Sequence, residues 1–176
     1  MNRNKILVVV SHPNLKDSFV NKGWIDEMKK NTEKFYIHDL YENYSDFKID
    51  VKKEQNLIEK FNNIIFQFPI QWFSSPALLK EWIDKVFEYG WAYGSNGKAL
   101  KDKNIGLVVS LGGDKSSYQG KSALENILFP FENTFNFVGS KYQNFHAFYG
   151  AGYGNNSVNK LKENIKDYFE FIKKFK

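Results

Sequence analysis

Five short apolar runs alternate along the chain with longer stretches of helical period. Lys5-Ile-Leu-Val-Val-Val10 carries no polar position after Lys5. It reads as a strand buried on both faces, as in parallel sheets, and Ser11-His-Pro-Asn14 stops it. A helical pattern follows from about Asp17, with Phe19, Val20, Gly23, Trp24 and Met28 along one side. Lys34-Phe-Tyr-Ile-His-Asp39 is the second strand. Residues 52–61 read as a helix with Leu57, Ile58 and Phe61 facing inward. Asn63-Ile-Ile-Phe-Gln-Phe68 is the third strand, ended by Pro69. Pro76 suits the first turn of a helix that reaches Phe87, with Leu79, Ile83, Val86 and Phe87 as its apolar stripe. Asn104–Leu111 is the fourth strand, closed by Gly112-Gly113. Residues 121–137 are mostly helical in pattern, with Pro130 expected to kink or break the element. Gln143–Phe148 is the fifth strand. The last helix starts near Ser157, its N-cap, and carries Val158, Leu161, Ile165, Tyr168, Phe169, Ile172 and Phe175 as its stripe.

Strand–helix alternation of this kind predicts an α/β fold. Its expected form is a flavodoxin-like, five-stranded parallel sheet of order 2-1-3-4-5 with helices on both faces. Neither an internal repeat nor a linker interrupts the chain, so residues 1–176 read as one domain, long enough to bury a real core. The first apolar run, Ile6–Val10, is too short for a signal-peptide core or a membrane span. A cytoplasmic protein is expected.

Composition narrows the chemistry. The chain has no cysteine, which excludes disulfides, thiolate metal sites, iron–sulfur clusters and cysteine nucleophiles. The net charge is +5. All of the excess lies in residues 89–176, with 12 basic and 7 acidic side chains. Arg3 is the one arginine among 25 basic residues. Sequence-specific DNA readers rely on arginine, so a lysine-coated surface is expected and nucleic-acid binding is not. The three histidines, at 12, 38 and 146, lack helical-spacing partners, and no metal site is expected. Neither a G-x-S-x-G elbow nor a Walker loop is present. Gly150-Ala-Gly-Tyr-Gly154 follows the last strand rather than the first and reads as a turn. Asp26 with Glu27 and Glu81 with Asp84 read as solvated faces. Tyr89, Trp91 and Tyr93 suit core, a substrate pocket or a dimer contact.

In open α/β sheets ligands bind beyond the carboxyl ends of the strands, at the β1/β3 switch point. Three loops meet that description. Ser11–Asn21 enters a helix near Ser18, where unpaired N–H groups favour a phosphate and Ser18, Asn21 and His12 offer side-chain donors. Pro69–Ser75 places Trp72 and Phe73 in a loop. They are either lids on the core or an apolar wall for a planar ring, with the N–H groups of Gln71 to Phe73 along its edge. Ser110–Tyr118 opens with Gly112-Gly113, which lets the backbone approach a ligand closely. Together these loops describe a phosphate pocket and a slot for a flat ring, the shape of a flavin mononucleotide.

Phe68-Pro-Ile-Gln-Trp-Phe-Ser-Ser-Pro-Ala-Leu-Leu-Lys-Glu-Trp-Ile-Asp-Lys-Val-Phe-Glu-Tyr-Gly-Trp-Ala-Tyr-Gly94, supported by Ser11-His-Pro-Asn14, Asp46-Phe-Lys-Ile-Asp50 and Glu54-Gln55, resembles the flavodoxin-like NAD(P)H:quinone oxidoreductases. Within them it is most similar to the bacterial branch of potassium-efflux ancillary quinone reductases and general stress flavoproteins. The resemblance fades after about residue 140. It implies flavin contacts at His12, at Ser18, Phe19, Val20 and Asn21, at Ile70, Gln71, Trp72 and Phe73, and at Ser110, Leu111, Gly112 and Gly113. Leu111 departs from the family's Thr-Thr-Gly-Gly, which removes one hydroxyl. Tyr118 matches a tyrosine that lines the family's acceptor pocket. The implied activity is an NAD(P)H dehydrogenase (quinone). NADH or NADPH gives a hydride to the flavin N5 and leaves, and a quinone or similar small acceptor then takes the same slot in a ping-pong cycle. The implied cofactor is FMN, with FAD as the alternative. The implied assembly is a homodimer, and the family also includes regulatory partners of a potassium-efflux membrane protein. An electron-carrier flavodoxin is the competing reading. Such carriers have a hydroxyl-rich phosphate loop and an acidic surface, unlike the His-Pro loop and basic charge here.

Overall fold

In the computed structural model, which describes residues 5–152 and 157–175, the five runs form β1 (Ile6–Val10), β2 (Phe35–Asp39), β3 (Asn63–Pro69), β4 (Asn104–Leu111) and β5 (Lys141–Tyr149). All pairings are parallel, in the order β2-β1-β3-β4-β5. This is the flavodoxin-like α/β arrangement that the alternation predicts. β1 shows why its run is continuous. Leu7 and Val9 enter the core on one face of the sheet, Ile6, Val8 and Val10 the core on the other, as a period of two requires.

Helices α1 (Phe19–Met28), α2 (Leu40–Asn43), α3 (Val51–Ile58), α4 (Ala77–Val86), α5 (Leu124–Phe137) and α6 (Val158–Ile172) cover both faces. α1 and α6 pack Trp24, Leu161, Tyr168 and Phe171 against one side. Gly23 lets them approach: a Cβ there would lie 2.6 Å from Leu161 Cδ2. α3, α4 and α5 close the other side around Trp82, Phe66 and Phe135. Among the described residues, no helix is long and apolar enough to cross a membrane.

The structure departs from the sequence reading in several places. α5 continues unbroken past Pro130. Pro130 and Asn126, whose carbonyl loses its helical partner, are both exposed, so the carbonyl is open to solvent and the missing bond costs less than it would in a core. Val158 is exposed rather than part of the α6 stripe, and Phe171 is buried in its stead. α2 is an unanticipated single turn, capped by the Asp39 carboxylate accepting from Tyr41 N–H and Glu42 N–H. β5 is longer at both ends, and its register shifts between Ile105 and Leu107, where Asn144 adopts a left-handed φ of 72°. That is the behaviour of a β-bulge.

One polar cluster lies wholly inside. Glu54 on α3 is fully buried. Its carboxylate meets His38 Nε2 at 2.8 Å and accepts from Tyr44 O–H at 2.6 Å and Trp82 Nε1–H at 2.8 Å. Burial pushes its pKa up, and these donors together hold it below its ordinary value. The cluster ties β2, α3 and α4 together, and so anchors the helix that follows the Trp72 loop.

Candidate functional site

The carboxyl ends of β1, β3 and β4 deliver the three loops to one cleft of about 360 Å³. His12, Ser18, Phe19, Val20, Ile70, Ser110 and Gly112 line it, together with Asn14, Asp17, Pro69, Ala151 and Gly152.

On the first wall, Leu15–Asp17 forms a 3-10 turn before α1. Ser18 is the N-cap of α1, its hydroxyl accepting from Asn21 N–H at 3.1 Å. The N–H groups of Phe19 and Val20 have no hydrogen-bond partner within the chain. A helix N-terminus with free donors suits an anion. Beside it, Asn14 N–H donates to His12 Nδ1 at 3.1 Å. The neutral imidazole must then carry its proton on Nε2, and burial keeps its pKa below the usual histidine range. Asp17, the one carboxylate in the cleft, accepts from Asn14 Nδ2–H at 2.7 Å.

Pro69 and Ile70 form the second wall; the expected ring contacts Gln71, Trp72 and Phe73 lie beyond it, outside the lining, and Phe73 lines a groove between α4 and α5. Gln71 and Ser74 exchange backbone bonds of 2.9 and 3.0 Å across a two-residue turn. Its central residues, Trp72 and Phe73, have φ of 47° and 60°. The left-handed region costs an L-residue roughly 1–2 kcal/mol, and such strain gathers at ligand sites. Trp72 is 95% exposed and Phe73 59%, so neither is a lid on the core. The N–H of Gln71 is consumed by the turn, whereas those of Trp72 and Phe73 have no partner within the chain. Ile70 N–H bonds Ser110 O at 2.8 Å and joins this wall to the next.

The third wall is the glycine loop. Ala151 N–H, Gly152 N–H and Gly150 N–H donate to the carbonyls of Leu111, Gly112 and Gly113 at 2.8, 3.2 and 2.8 Å. With the carbonyls engaged on that side, the N–H groups of Gly112 and Gly113 have no partner within the chain. Residues 150–152 thus form a strap along the glycine loop and not a plain turn; residues 153 and 154 lie outside the described residues. A Cβ on Gly152 would sit 3.2 Å from Gly112 O, while one on Gly112 would meet nothing within 4 Å. The Leu111 side chain is buried in the core and adds nothing to the cleft. Tyr118 stands behind Gly113, where a Cβ would meet its ring at 3.3 Å, and packs on Tyr149 at 5.8 Å between centroids.

Asn21 differs from expectation. Its side chain offers no donor to the cleft. It is fully buried and donates through Nδ2 to Ser110 Oγ at 2.8 Å. Sequence reasoning also passed over Asn14, Gln67, Ala151 and Gly152. Gln67 left a signal, as a polar residue inside an otherwise apolar strand.

The cleft therefore offers unpaired backbone donors from the start of α1 and from the glycine loop, and an imidazole, with the strained aromatic turn directly following Ile70 of its lining. A phosphate-bearing ligand with a flat ring fits that donor set. Comparison with known proteins agrees with the geometry. A family described as having a flavodoxin-like fold matches residues 4–172. An uncharacterized NAD(P)H oxidoreductase of Bacillus subtilis (YrkL) is 40% identical over 171 residues, covering 94% of this chain and 98% of that protein. The crystal structure of general stress protein 14 from Treponema denticola, in complex with FMN, superposes with a TM-score of 0.90 at 38% identity, covering 98% of this chain and 99% of that one. An NADPH-quinone reductase structure from P. pentosaceus gives a TM-score of 0.78 at 27% identity, covering 93% and 96%. The chain belongs to this flavodoxin-like family.

Proposed function

We propose that the protein is an FMN-dependent NAD(P)H oxidoreductase that delivers two electrons to a quinone or similar small acceptor. The carrying observation is that unpaired N–H groups of Phe19 and Val20, at the start of α1, and of Gly112, in the glycine loop, meet at one cleft, while those of Trp72 and Phe73 lie on the turn that directly follows Ile70 of the same lining. The likeness to an NAD(P)H oxidoreductase, an NADPH-quinone reductase and an FMN complex supports the same reading. The free donors at the start of α1, with His12 Nε2–H and the Ser18 hydroxyl, hold the phosphate. The Trp72–Phe73 turn and the glycine loop bound the ring and donate to its edge. FMN, when bound, supplies the centre that accepts and returns a hydride. The chain's own task is to fix that ring and to leave one face open for NADH or NADPH and then for the acceptor. Tyr118, behind the glycine loop, orients the acceptor.

The same reading includes a homodimer. A groove of about 390 Å³ runs between α4 and α5, lined by Phe73, Ile83, Phe87, Tyr93, Ile127 and Phe131 among others. Phe129 and Phe137 on α5 and Tyr89 beyond α4 are 55%, 72% and 71% exposed. Exposed aromatics in such a cluster mark an interface. Phe73 belongs both to this groove and to the site's aromatic turn, so a second copy seated here also walls the ring slot. FMN titration with menadione-dependent NADH and NADPH oxidation tests the activity, and sedimentation velocity tests the dimer. Saturable binding with turnover in a dimer is expected; failure to bind FMN overturns the assignment.

A further inference from the structure

Beneath the cleft lies a buried polar chain that the proposed function does not use. Gln67, in the middle of β3, and Asn21, on α1, are both fully buried. Gln67 Nε2 lies 3.3 Å from the Asn21 backbone oxygen and 3.4 Å from Asn21 Oδ1. A backbone carbonyl only accepts, so the Gln67 atom facing it must be the amide nitrogen. The orientations of the neighbours follow from that one fixed acceptor. Gln67 Oε1 faces Tyr168, whose hydroxyl donates at 3.5 Å. Asn21 Oδ1 accepts from Gln67, which leaves Asn21 Nδ2 to donate to Ser110 Oγ at 2.8 Å. Every donor points the same way, toward the cleft. Ser110 spends a lone pair on Asn21, and its own proton has no acceptor within the chain. The residue is 5% exposed, at the cleft wall.

We propose that Gln67 and Asn21 are positioning residues that preset Ser110 as a hydrogen-bond donor, and not an acceptor, toward the cofactor. The inference rests on the reading of the cleft as the FMN site. A preset donor needs no reorientation when an electron-rich oxygen or nitrogen arrives, which is how preorganised dipoles act. Asparagine at 21 is required for polarity, not for bulk. A carboxylate of the same shape would still accept from Gln67, yet it would also accept the Ser110 proton and withdraw it from the cleft.

The test is a double-variant cycle on FMN affinity, read by quenching of flavin fluorescence with apo-protein. Asn21→Asp and Ser110→Ala each weaken FMN binding about tenfold, the loss expected for one hydrogen bond to a charged or polar group. The double variant is no weaker than either, because both remove the same donor. Ser110→Thr, which keeps the hydroxyl, recovers affinity relative to Ser110→Ala. Acidification gives a second readout. A protonated carboxyl at 21 donates to Ser110 again, so the Asn21→Asp deficit relative to wild type shrinks from pH 8 to pH 5.5, while the Ser110→Ala deficit does not. Taking the ratio to wild type removes pH effects common to both proteins, including those from the ionisable groups His12 and Asp17 that face the same cleft. If Asn21→Asp fails to fold, Gln67→Met replaces it in the cycle, with the same non-additivity expected. Wild-type affinity in Asn21→Asp, or losses that multiply in the double variant, overturn the relay alone. Absence of FMN binding by wild type overturns the site assignment and the relay with it.

Discussion

Asn14 N–H donates to His12 Nδ1 at 3.1 Å, and this contact decides which nitrogen of the imidazole carries the proton. With Nδ1 occupied as an acceptor, Nε2–H is the donor that remains. His12→Ala is therefore expected to weaken FMN binding about tenfold or more, the loss of a hydrogen bond to a charged group. Riboflavin, which has no phosphate, should lose little. Parallel titrations of the two ligands check it; equal losses for both would place His12 away from the phosphate.

Acid should destabilise the fold in an order set by the same burial. His12 and His146 both have pKa values held below the ordinary 6.5 by desolvation. The unfolded chain then binds more protons than the folded one as pH falls below 6.5, so stability declines there first. Glu54, held below its ordinary 4.5, contributes stability above that pH and loses it as pH falls further through its folded value. Urea midpoints of the apo-protein from pH 8 to pH 4 should be flat above 7 and fall below 6.5. A midpoint that rises on acidification would contradict the assignment of neutral buried imidazoles.

Glu54 offers a separate test of the fold. Glu54→Gln keeps the shape but presents an NH₂ to a ring of donors, leaving at least one buried donor without an acceptor. A loss of about 2–3 kcal/mol in urea denaturation is expected. A loss below 0.5 kcal/mol would mean that the cluster is not dry.

Trp72 sets stability against function. Trp72→Gly relieves the left-handed strain, less the extra entropy of an unfolded glycine, and is expected to leave stability unchanged or raise it by about 0.5–1 kcal/mol. The same change removes an aromatic face beside the site and should lower kcat/KM for menadione about 3–10-fold. Thermal melts and steady-state rates on one preparation decide. Loss of stability together with full activity would show that the turn is merely structural.

Gly152→Ala probes the strap. The new Cβ would press on Gly112 O at 3.2 Å, a backbone atom that cannot swing aside. FMN affinity should fall several-fold with little change in the melting temperature, because the new Cβ meets the glycine loop and not a core side chain. Unchanged affinity would detach the strap from the site.

The fold was legible because β1, β3 and β4 bury both faces, so their sequences are mostly apolar runs with few polar interruptions, and because Pro76 and Ser157 mark helix starts. The site was legible as loops, since the carboxyl ends of parallel strands select them before any residue is weighed. What could not be read were contacts between residues far apart in sequence. Asn21 looks like a loop donor until Ser110, 89 positions away, is seen to take its amide. The strap depends on bonds from the β5 end to the β4 end, and a glycine pair gives no sign of which side its carbonyls will be held from. Pro130 does not break α5, because a proline's cost depends on whether the orphaned carbonyl is exposed, which periodicity does not encode.

The most direct test of the central claim is a titration of apo-protein with FMN, followed by NADH or NADPH and then menadione, watched in the visible spectrum. Saturation at one FMN per chain, bleaching by the nicotinamide and reoxidation by the quinone, without a long-lived radical, is the predicted result. A colourless protein that takes up no FMN would contradict the account, and one that binds FMN but accumulates a stable one-electron form would make it a carrier instead.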